Sequence, residues 1–277
     1  MDEFYRLYRE CFPEDSDRCA DVIMKKLSCA DRRALYDGGR LRSALYLVEK
    51  KVFYCGKTIT VPHIVGLGTF IEDRKKGYAA ELLKRTLNSL DCPFVTLYPF
   101  SHAFYEKYGF SAVSFDFDEP SDKGIPVSSD RAREKYLRFC DGLDFYVLRG
   151  EEDYRFFDEV YRADGEGFYE ADKGVGCPDG FIPEVFRKTQ KKGVMARIVD
   201  LEKAMRLTGV SCDRPVSVKD GIIEKNNRSF SLDGGKPVFC ESGEETDVSV
   251  LTSAVFGDGT KAGGRFPEID GYLADKY

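Results

Sequence analysis

Two clusters in the sequence combine residue types and spacings that could do chemistry. The first is Arg74-Lys75-Lys76-Gly77-Tyr78-Ala79. It follows an apolar, glycine-containing run, Ile64 to Phe70, and the acidic pair Glu72-Asp73. An amphipathic stretch comes after it. The start of a helix leaves backbone N–H groups unpaired and carries positive partial charge. A glycine there lets a phosphate approach the backbone closely. Three cations in the turn add attraction for a pyrophosphate. Taken alone, the hexapeptide reads equally well as a solvated basic turn. Its flanks and a second cluster favour the anion site. That second cluster is Phe104-Tyr105-Glu106-Lys107-Tyr108-Gly109-Phe110, where a tyrosine is available for proton transfer and Gly109 can stop a short helix.

The elements that must position these clusters follow from periodicity. From Gly77 onward Ala79, Leu82, Leu83, Thr86, Leu87 and Leu90 form one apolar helical stripe, which ends before Asp91-Cys92-Pro93. Phe94 to Tyr98 is a short buried strand stopped by Pro99, and Ser101 can cap a helix running through Tyr108. Ser111 to Phe117 alternates like a strand. Upstream, Phe4, Leu7, Tyr8 and Cys11 share a helical face, and a second helix covers Asp17 to Leu27. Leu41 to Val48 and Lys51 to Phe53 read as strands with a turn at Glu49-Lys50, followed by a turn at Cys55 to Thr58 and a strand at Ile59 to Ile64. Downstream, helices are expected at Asp130 to Cys140 and Tyr154 to Tyr161, with a strand at Leu143 to Leu148 between them. The glycine-rich stretch Gly165 to Gly180 reads as a loop or linker, and Phe181 to Lys192 as a short helix. Val194 to Val199 is apolar, and Asp200 can cap a helix from Leu201 to Leu207. Val216 to Lys219, Gly221 to Lys225 and Arg228 to Leu232 resemble strands, and Ser249 to Phe256 a helix. No internal repeat is present.

Composition bounds the answer. A chain of 277 residues exceeds a typical single domain, so two domains are expected. Hydrophobic residues at 42% and charged residues at 32% make an ordinary globular mixture. The net charge of -6 argues against a nucleic-acid partner and suits a cationic amine. No apolar run approaches the roughly 20 residues that span a bilayer, and no signal peptide is evident. Nine cysteines, an odd number with no Cys-x-x-Cys, indicate neither a zinc site nor a disulfide framework. The expectation is reduced cysteines in a cytoplasmic protein with no metal.

The pairing of the two clusters resembles the GNAT superfamily of N-acetyltransferases. Arg74 to Ala79 is similar to its acyl-CoA pyrophosphate loop, and Phe104 to Phe110 to its Phe-Tyr-x-x-x-Gly-Phe segment. This resemblance covers roughly residues 1 to 118. It implies acetyl-CoA as co-substrate, with Arg74, Lys75, Lys76, Gly77, Tyr78 and Ala79 at the pyrophosphate. Thr69, Phe70 and Ile71 would be strand residues beside the pantetheine arm. Tyr105, four residues before the glycine, would sit by the thioester sulfur and serve as general acid. Tyr108 would pack. A narrower resemblance is to the Eis (enhanced intracellular survival) family. It rests on the order of a GNAT domain, a basic helix beginning Arg197-Ile198-Val199-Asp200-Leu201-Glu202-Lys203-Ala204, and a small C-terminal unit similar to sterol carrier proteins. A hairpin around Val61-Pro62-His63 adds to it. In that family the terminal carboxylate takes the proton from the amine, which implies a catalytic role for Tyr277. His63, His102, a carboxylate within the GNAT domain, or water are the alternatives. Only about 75 residues separate the motifs from the C-terminal unit, so the second GNAT-like domain usual in that family is missing or cut down. The first strand of a GNAT domain is not evident before the opening helix.

The expected architecture is therefore a mixed α/β GNAT fold followed by a smaller sterol-carrier-like α+β domain. The expected boundaries are a GNAT domain over 1–150, a connecting segment over 151–190 and the C-terminal domain over 191–277. The expected reaction moves acetyl from acetyl-CoA to a primary amine on a small molecule or peptide. The alternative is a non-catalytic CoA- or lipid-binding protein with a degenerate acetyltransferase domain. A Rossmann-type nucleotide binder is rejected, because no Gly-x-Gly-x-x-Gly with a following acidic residue is present. No nucleic acid and no membrane span are expected, and a homo-oligomer is compatible.

Overall fold

The opening stripe of Phe4, Leu7 and Tyr8 forms helix α1 (Glu3–Cys11), N-capped by Asp2, and Ser16 caps α2 (Asp17–Leu27). The computed structural model describes residues 2–117, 124–171, 174–177, 180–184 and 192–273. Strand β1 (Asp31–Asp37) follows α2 and pairs antiparallel with β2 (Arg40–Tyr54). Among the described residues no strand precedes α1, in keeping with the sequence reading; β1, which periodicity does not reveal, lies behind α2. β2 runs unbroken through Glu49 and Lys50, and β3 (Lys57–Thr69) runs unbroken through Pro62 and His63. The turn expected at Glu49-Lys50 and the hairpin at Val61 to His63 are therefore corrected: Glu49 pairs with Pro62, and the hairpin closes at Cys55-Gly56. Helix α3 (Tyr78–Ser89), strand β4 (Phe94–Leu97) and helix α4 (His102–Glu106) come next, with Ser101 accepting the Phe104 N–H.

Strand β5 is only Ser111–Ala112, shorter than the alternation suggested. The short strand β6 (Ile125–Pro126), α5 (Ser129–Cys140), β7 (Phe145–Val147) and α6 (Glu151–Ala163) follow. The glycine-rich stretch is not a loop. It holds β8 (Tyr169–Ala171), β9 (Gly174–Cys177) and β10 (Gly180–Pro183), which form a second sheet with β6. Of the helix expected over Phe181 to Lys192, Phe181–Pro183 lies in β10, and 185–191 lie outside the described residues. Then come β11 (Met195–Ile198), α7 (Leu201–Thr208), β12 (Cys212–Lys219), β13 (Ser229–Asp233), β14 (Lys236–Cys240), β15 (Glu244–Asp247), α8 (Val248–Phe256) and β16 (Gly271–Tyr272). Gly221 to Lys225 is not a strand; Glu224–Asn226 forms a 3-10 turn.

The main sheet has the order β16-β7-β2-β3-β4-β11-β5, with β1 also beside β2. β11 enters it antiparallel between β4 and β5, and β16 joins the edge parallel to β7. The C-terminal third therefore supplies strands to the sheet that the N-terminal third begins. Helix α8 reinforces the join. Phe256 is fully buried, with its ring 4.3 Å from Phe94, 5.3 Å from Tyr54 and 5.8 Å from Phe145. The Tyr54 hydroxyl donates to the Val255 carbonyl at 2.6 Å. Phe256→Ala is expected to cost about 3–5 kcal/mol, the range for a buried Phe truncation. Urea denaturation should then show the whole chain losing stability in one transition. A loss under about 1 kcal/mol, or a separate early transition of the C-terminal third, would contradict this coupling.

Candidate active site

β3 and β4 are parallel neighbours for only two registers, His63 with Thr96 and Ile64 with Leu97. β4 ends there, whereas β3 continues to Thr69. The two strands therefore part, and among the described residues no strand covers the β4-side edge of Val65 to Thr69. A bulge sits at the point of parting. Gly66 and Leu67 stand opposite Leu45 alone, and Gly66 has a φ of +63°. A strand edge with free N–H and C=O groups is a template for a ligand that carries amides.

Thr69 ends β3. Phe70 and Ile71 do not continue the strand; Ile71 opens a 3-10 turn to Asp73. The Phe70 side chain is buried against Phe4 and Leu7 of α1, so it is core. Three side chains occupy this backbone. Glu10 accepts from the Ile71 N–H, Arg74 Nε donates to the Thr69 carbonyl at 3.3 Å, and Cys11 Sγ lies 3.7 Å from the same oxygen. Burial pushes the Cys11 thiol up, with Arg74 opposing. Nothing local in the sequence tied Glu10 or Cys11 to residues some sixty positions later.

The basic turn has the backbone form of a cradle. Lys75 has a φ of +64° and Gly77 of +89°, so successive amides turn toward one concave side. Gly77 is the N-cap of α3 and offers no side chain as a cap. Among the described residues, none accepts a hydrogen bond from the amides of Lys75, Lys76, Gly77, Tyr78 or Ala79. The three cations divide their work. Lys76 reaches Asp73 at 2.8 Å, where Arg42 also binds at 2.9 Å. The Asp73 side chain is nearly inaccessible, and Lys76, then Arg42, hold its carboxyl below the usual range. Arg74 and Lys75 have no carboxylate partner among the described residues. Tyr78 donates to Asp37 at 2.6 Å and leans on Arg42, which ties the start of α3 to β1. Arg42 and Asp73 were not singled out by sequence, because their pairing depends on the β2–β3 register.

Tyr105 lies in the same apolar cluster as Ile64 of β3 and Leu82 and Leu83 of α3. The structure thus brings together the strand, the helix behind the cradle and the tyrosine. Its ring sits 5.3 Å from Phe100, 5.0 Å from Phe104 and 5.7 Å from Phe110. No described residue hydrogen-bonds its hydroxyl, and burial pushes its pKa up, so the proton stays on at neutral pH. His63 is buried in the sheet, with Nδ1 2.8 Å from the Thr96 hydroxyl. His102 Nε2 is 3.1 Å from the Gly193 carbonyl. Tyr277 lies outside the described residues. No group of His, Cys, Asp and Glu among the described residues could hold a metal ion. No helix among them is long and apolar enough to cross a membrane.

Residues 1–113 match the family described as acetyltransferase (GNAT) domain. The whole chain shares its fold with several solved structures. It is similar to Eis1 from Mycobacterium abscessus (TM-score 0.71, 13% identity, covering 99% of this chain and 96% of that one). It is similar to a probable N-acyltransferase from Enterococcus faecalis V583 (TM-score 0.72, 15% identity, 99% and 96% covered). It is also similar to a GCN5-related N-acetyltransferase from Anabaena variabilis (TM-score 0.73, 17% identity, 99% and 97% covered). A search of curated proteins finds no match to this chain. The mixed α/β GNAT fold expected from the sequence is the one observed.

Proposed function

We propose that this chain transfers an acetyl group from acetyl-CoA to a primary amine. The observation that carries the reading is the row of amides from Lys75 to Ala79, which donate to no described residue, beside a strand whose edge no described strand covers from Val65 to Gly68. Such a row suits a pyrophosphate, and such an edge suits the two amides of a pantetheine arm. Acetyl-CoA supplies an activated thioester. The cradle binds its pyrophosphate, with Arg74 and Lys75 adding charge and Lys76 shaping the turn through Asp73. A backbone N–H at the Gly66-Leu67 bulge stabilises negative charge on the thioester oxygen. As the amine nitrogen bonds to the acyl carbon and the C–S bond breaks, Tyr105 gives its proton to the departing sulfur; the nitrogen releases its extra proton to water, and water reprotonates Tyr105. We take residues 1–150 as the transferase unit, 151–190 as the connection and 191–277 as the C-terminal unit. Kinship with the Eis family is inferred from the order of units and the fold shared with Eis1.

The test is thiol release from acetyl-CoA across a panel of amines: an aminoglycoside, a polyamine, an N-blocked lysine and a lysine-bearing peptide. Amine-dependent release with an N-acetyl product is expected. Tight CoA binding in calorimetry with no turnover on any amine would instead favour a binding protein. The pH profile adds a check on Tyr105. Burial raises its pKa above the ordinary value near 10, so its neutral, proton-donating form persists to about pH 10. The rate should rise or hold through about pH 9.5 as the amine deprotonates. An alkaline fall below about pH 9 that vanishes in Tyr105→Phe would sink the assignment.

A further inference from the structure

We propose that Arg197 is a positioning residue for Tyr105, acting through the turn that ends α4; this rests on reading Tyr105 as the proton donor. The turn is a Schellman motif. The Phe110 N–H reaches the Tyr105 carbonyl at 3.4 Å and the Gly109 N–H reaches the Glu106 carbonyl at 3.1 Å. Gly109, at a φ of +80°, takes the left-handed position, and the Phe110 ring packs on Tyr105. The motif leaves the Tyr108 carbonyl without a partner inside the helix. Arg197 of β11 supplies one: its Nε donates to that carbonyl at 2.6 Å.

The rest of the guanidinium is anchored. Nη1 donates to the Ile198 carbonyl at 2.5 Å and Nη2 to Asp220 at 2.7 Å. Both side chains of the ion pair are wholly buried. Asp220 also accepts from the amides of Ile222 and Ile223 at 2.9 and 3.0 Å and from Asn226 Nδ2 at 2.9 Å. The joint is tight on its other side too. A Cβ on Gly109 would fall 3.1 Å from Arg197 Nε and 2.8 Å from Val248. No described residue hydrogen-bonds the Tyr105 hydroxyl, so the aim of that group is set by ring packing and by where this turn holds the backbone. A buried ion pair is by itself weak evidence of stabilisation. A fork that spends one arm on the turn beneath the proton donor has a second use.

The experiment compares Arg197→Lys in the wild-type and Tyr105→Phe backgrounds, using acetyl-CoA and the panel amine of highest turnover. Lysine keeps a cation for Asp220 but cannot also reach both carbonyls. The expected result is a kcat lowered by roughly 10–10²-fold, the scale of a small misplacement, with KM for acetyl-CoA unchanged. In the Tyr105→Phe background the same change should do nothing further, since the group it aims is gone. A 3-fluorotyrosine placed at position 105 should shift or broaden its 19F resonance in Arg197→Lys, while one at the exposed Tyr36 should not. Equal kcat losses in both backgrounds, or an unmoved resonance at 105, overturn the proposal. If Tyr105→Phe alone leaves kcat intact, the proton-donor reading has failed, and the fluorine signal still decides whether Arg197 fixes the ring. Should Arg197→Lys not fold, Asp220→Asn is read in its place, because it keeps the shape and removes the charge that holds the guanidinium.

Discussion

Tyr105→Phe is expected to lower kcat by about 10²–10⁴-fold, the usual contribution of a general acid–base group, with CoA affinity nearly unchanged. The Tyr105 ring is buried among Phe100, Phe104 and Phe110, and phenylalanine keeps all of that contact. No described residue bonds the hydroxyl, so its removal strands no partner and leaves folding intact. What is lost is a proton at the moment sulfur leaves, a transition-state interaction that appears in kcat and kcat/KM together. Calorimetry with CoA and steady-state kinetics on the best amine check both halves. A kcat within several-fold of wild type would return Tyr105 to a packing role.

The parts of the site that were legible in sequence are those set by local rules. α1, α2 and α3 follow from apolar periodicity, and Ser101 and Asp200 act as the caps their types suggest. Gly109 ends α4 where the spacing places it. Misreadings arose where tertiary context outweighs local type. Glu49-Lys50 looks like a turn, yet it lies mid-strand because β3 pairs along its whole length. β1, Asp-Arg-Arg-Ala-Leu-Tyr-Asp, has one fully buried residue, so it shows little alternation. The glycines of β9 suggest a loop, because glycine is depleted in strands. They serve a different purpose. A Cβ on Gly176 would fall 2.0 Å from the Tyr169 ring, and one on Gly174 would fall 2.3 Å from the Phe181 ring. Each glycine thus leaves room for an aromatic ring lying across the sheet. The strand character of Val194 to Val199 was visible, but its place between β4 and β5 was not, since those partners lie far upstream. The same distance hid Arg197, whose contact with Tyr108 no local pattern encodes.

Replacing Gly77 tests the cradle itself, and the second large effect is expected there. Gly77 sits at a φ of +89°, with no protein atom within 4 Å of where a Cβ would stand. The protein itself has room for a side chain at this position. Two costs remain: the strain of a left-handed residue, about 1–3 kcal/mol, and loss of the open space that a phosphate needs beside the amides. Alanine incurs mostly the first cost. Valine adds branched bulk in the path of the ligand. At 1.4 kcal/mol per tenfold, Gly77→Ala should raise the Kd for CoA by about tenfold and Gly77→Val by about 10²-fold or more. The loss should be confined to ligands that carry the pyrophosphate. Acetyl-pantetheine, which lacks it, should be turned over by Gly77→Val at close to the wild-type kcat/KM. Arg74→Ala and Lys75→Ala should weaken CoA binding in a salt-dependent way, since neither cation has a carboxylate partner among the described residues. Lys76→Ala should act through Asp73 instead, loosening the turn with a weaker dependence on salt. If CoA affinity in calorimetry is unchanged by Gly77→Val, the phosphate is not held at the start of α3. If acetyl-pantetheine turnover falls as far as CoA affinity does, the substitution has deformed the strand and the cradle together, and the pyrophosphate assignment loses its support.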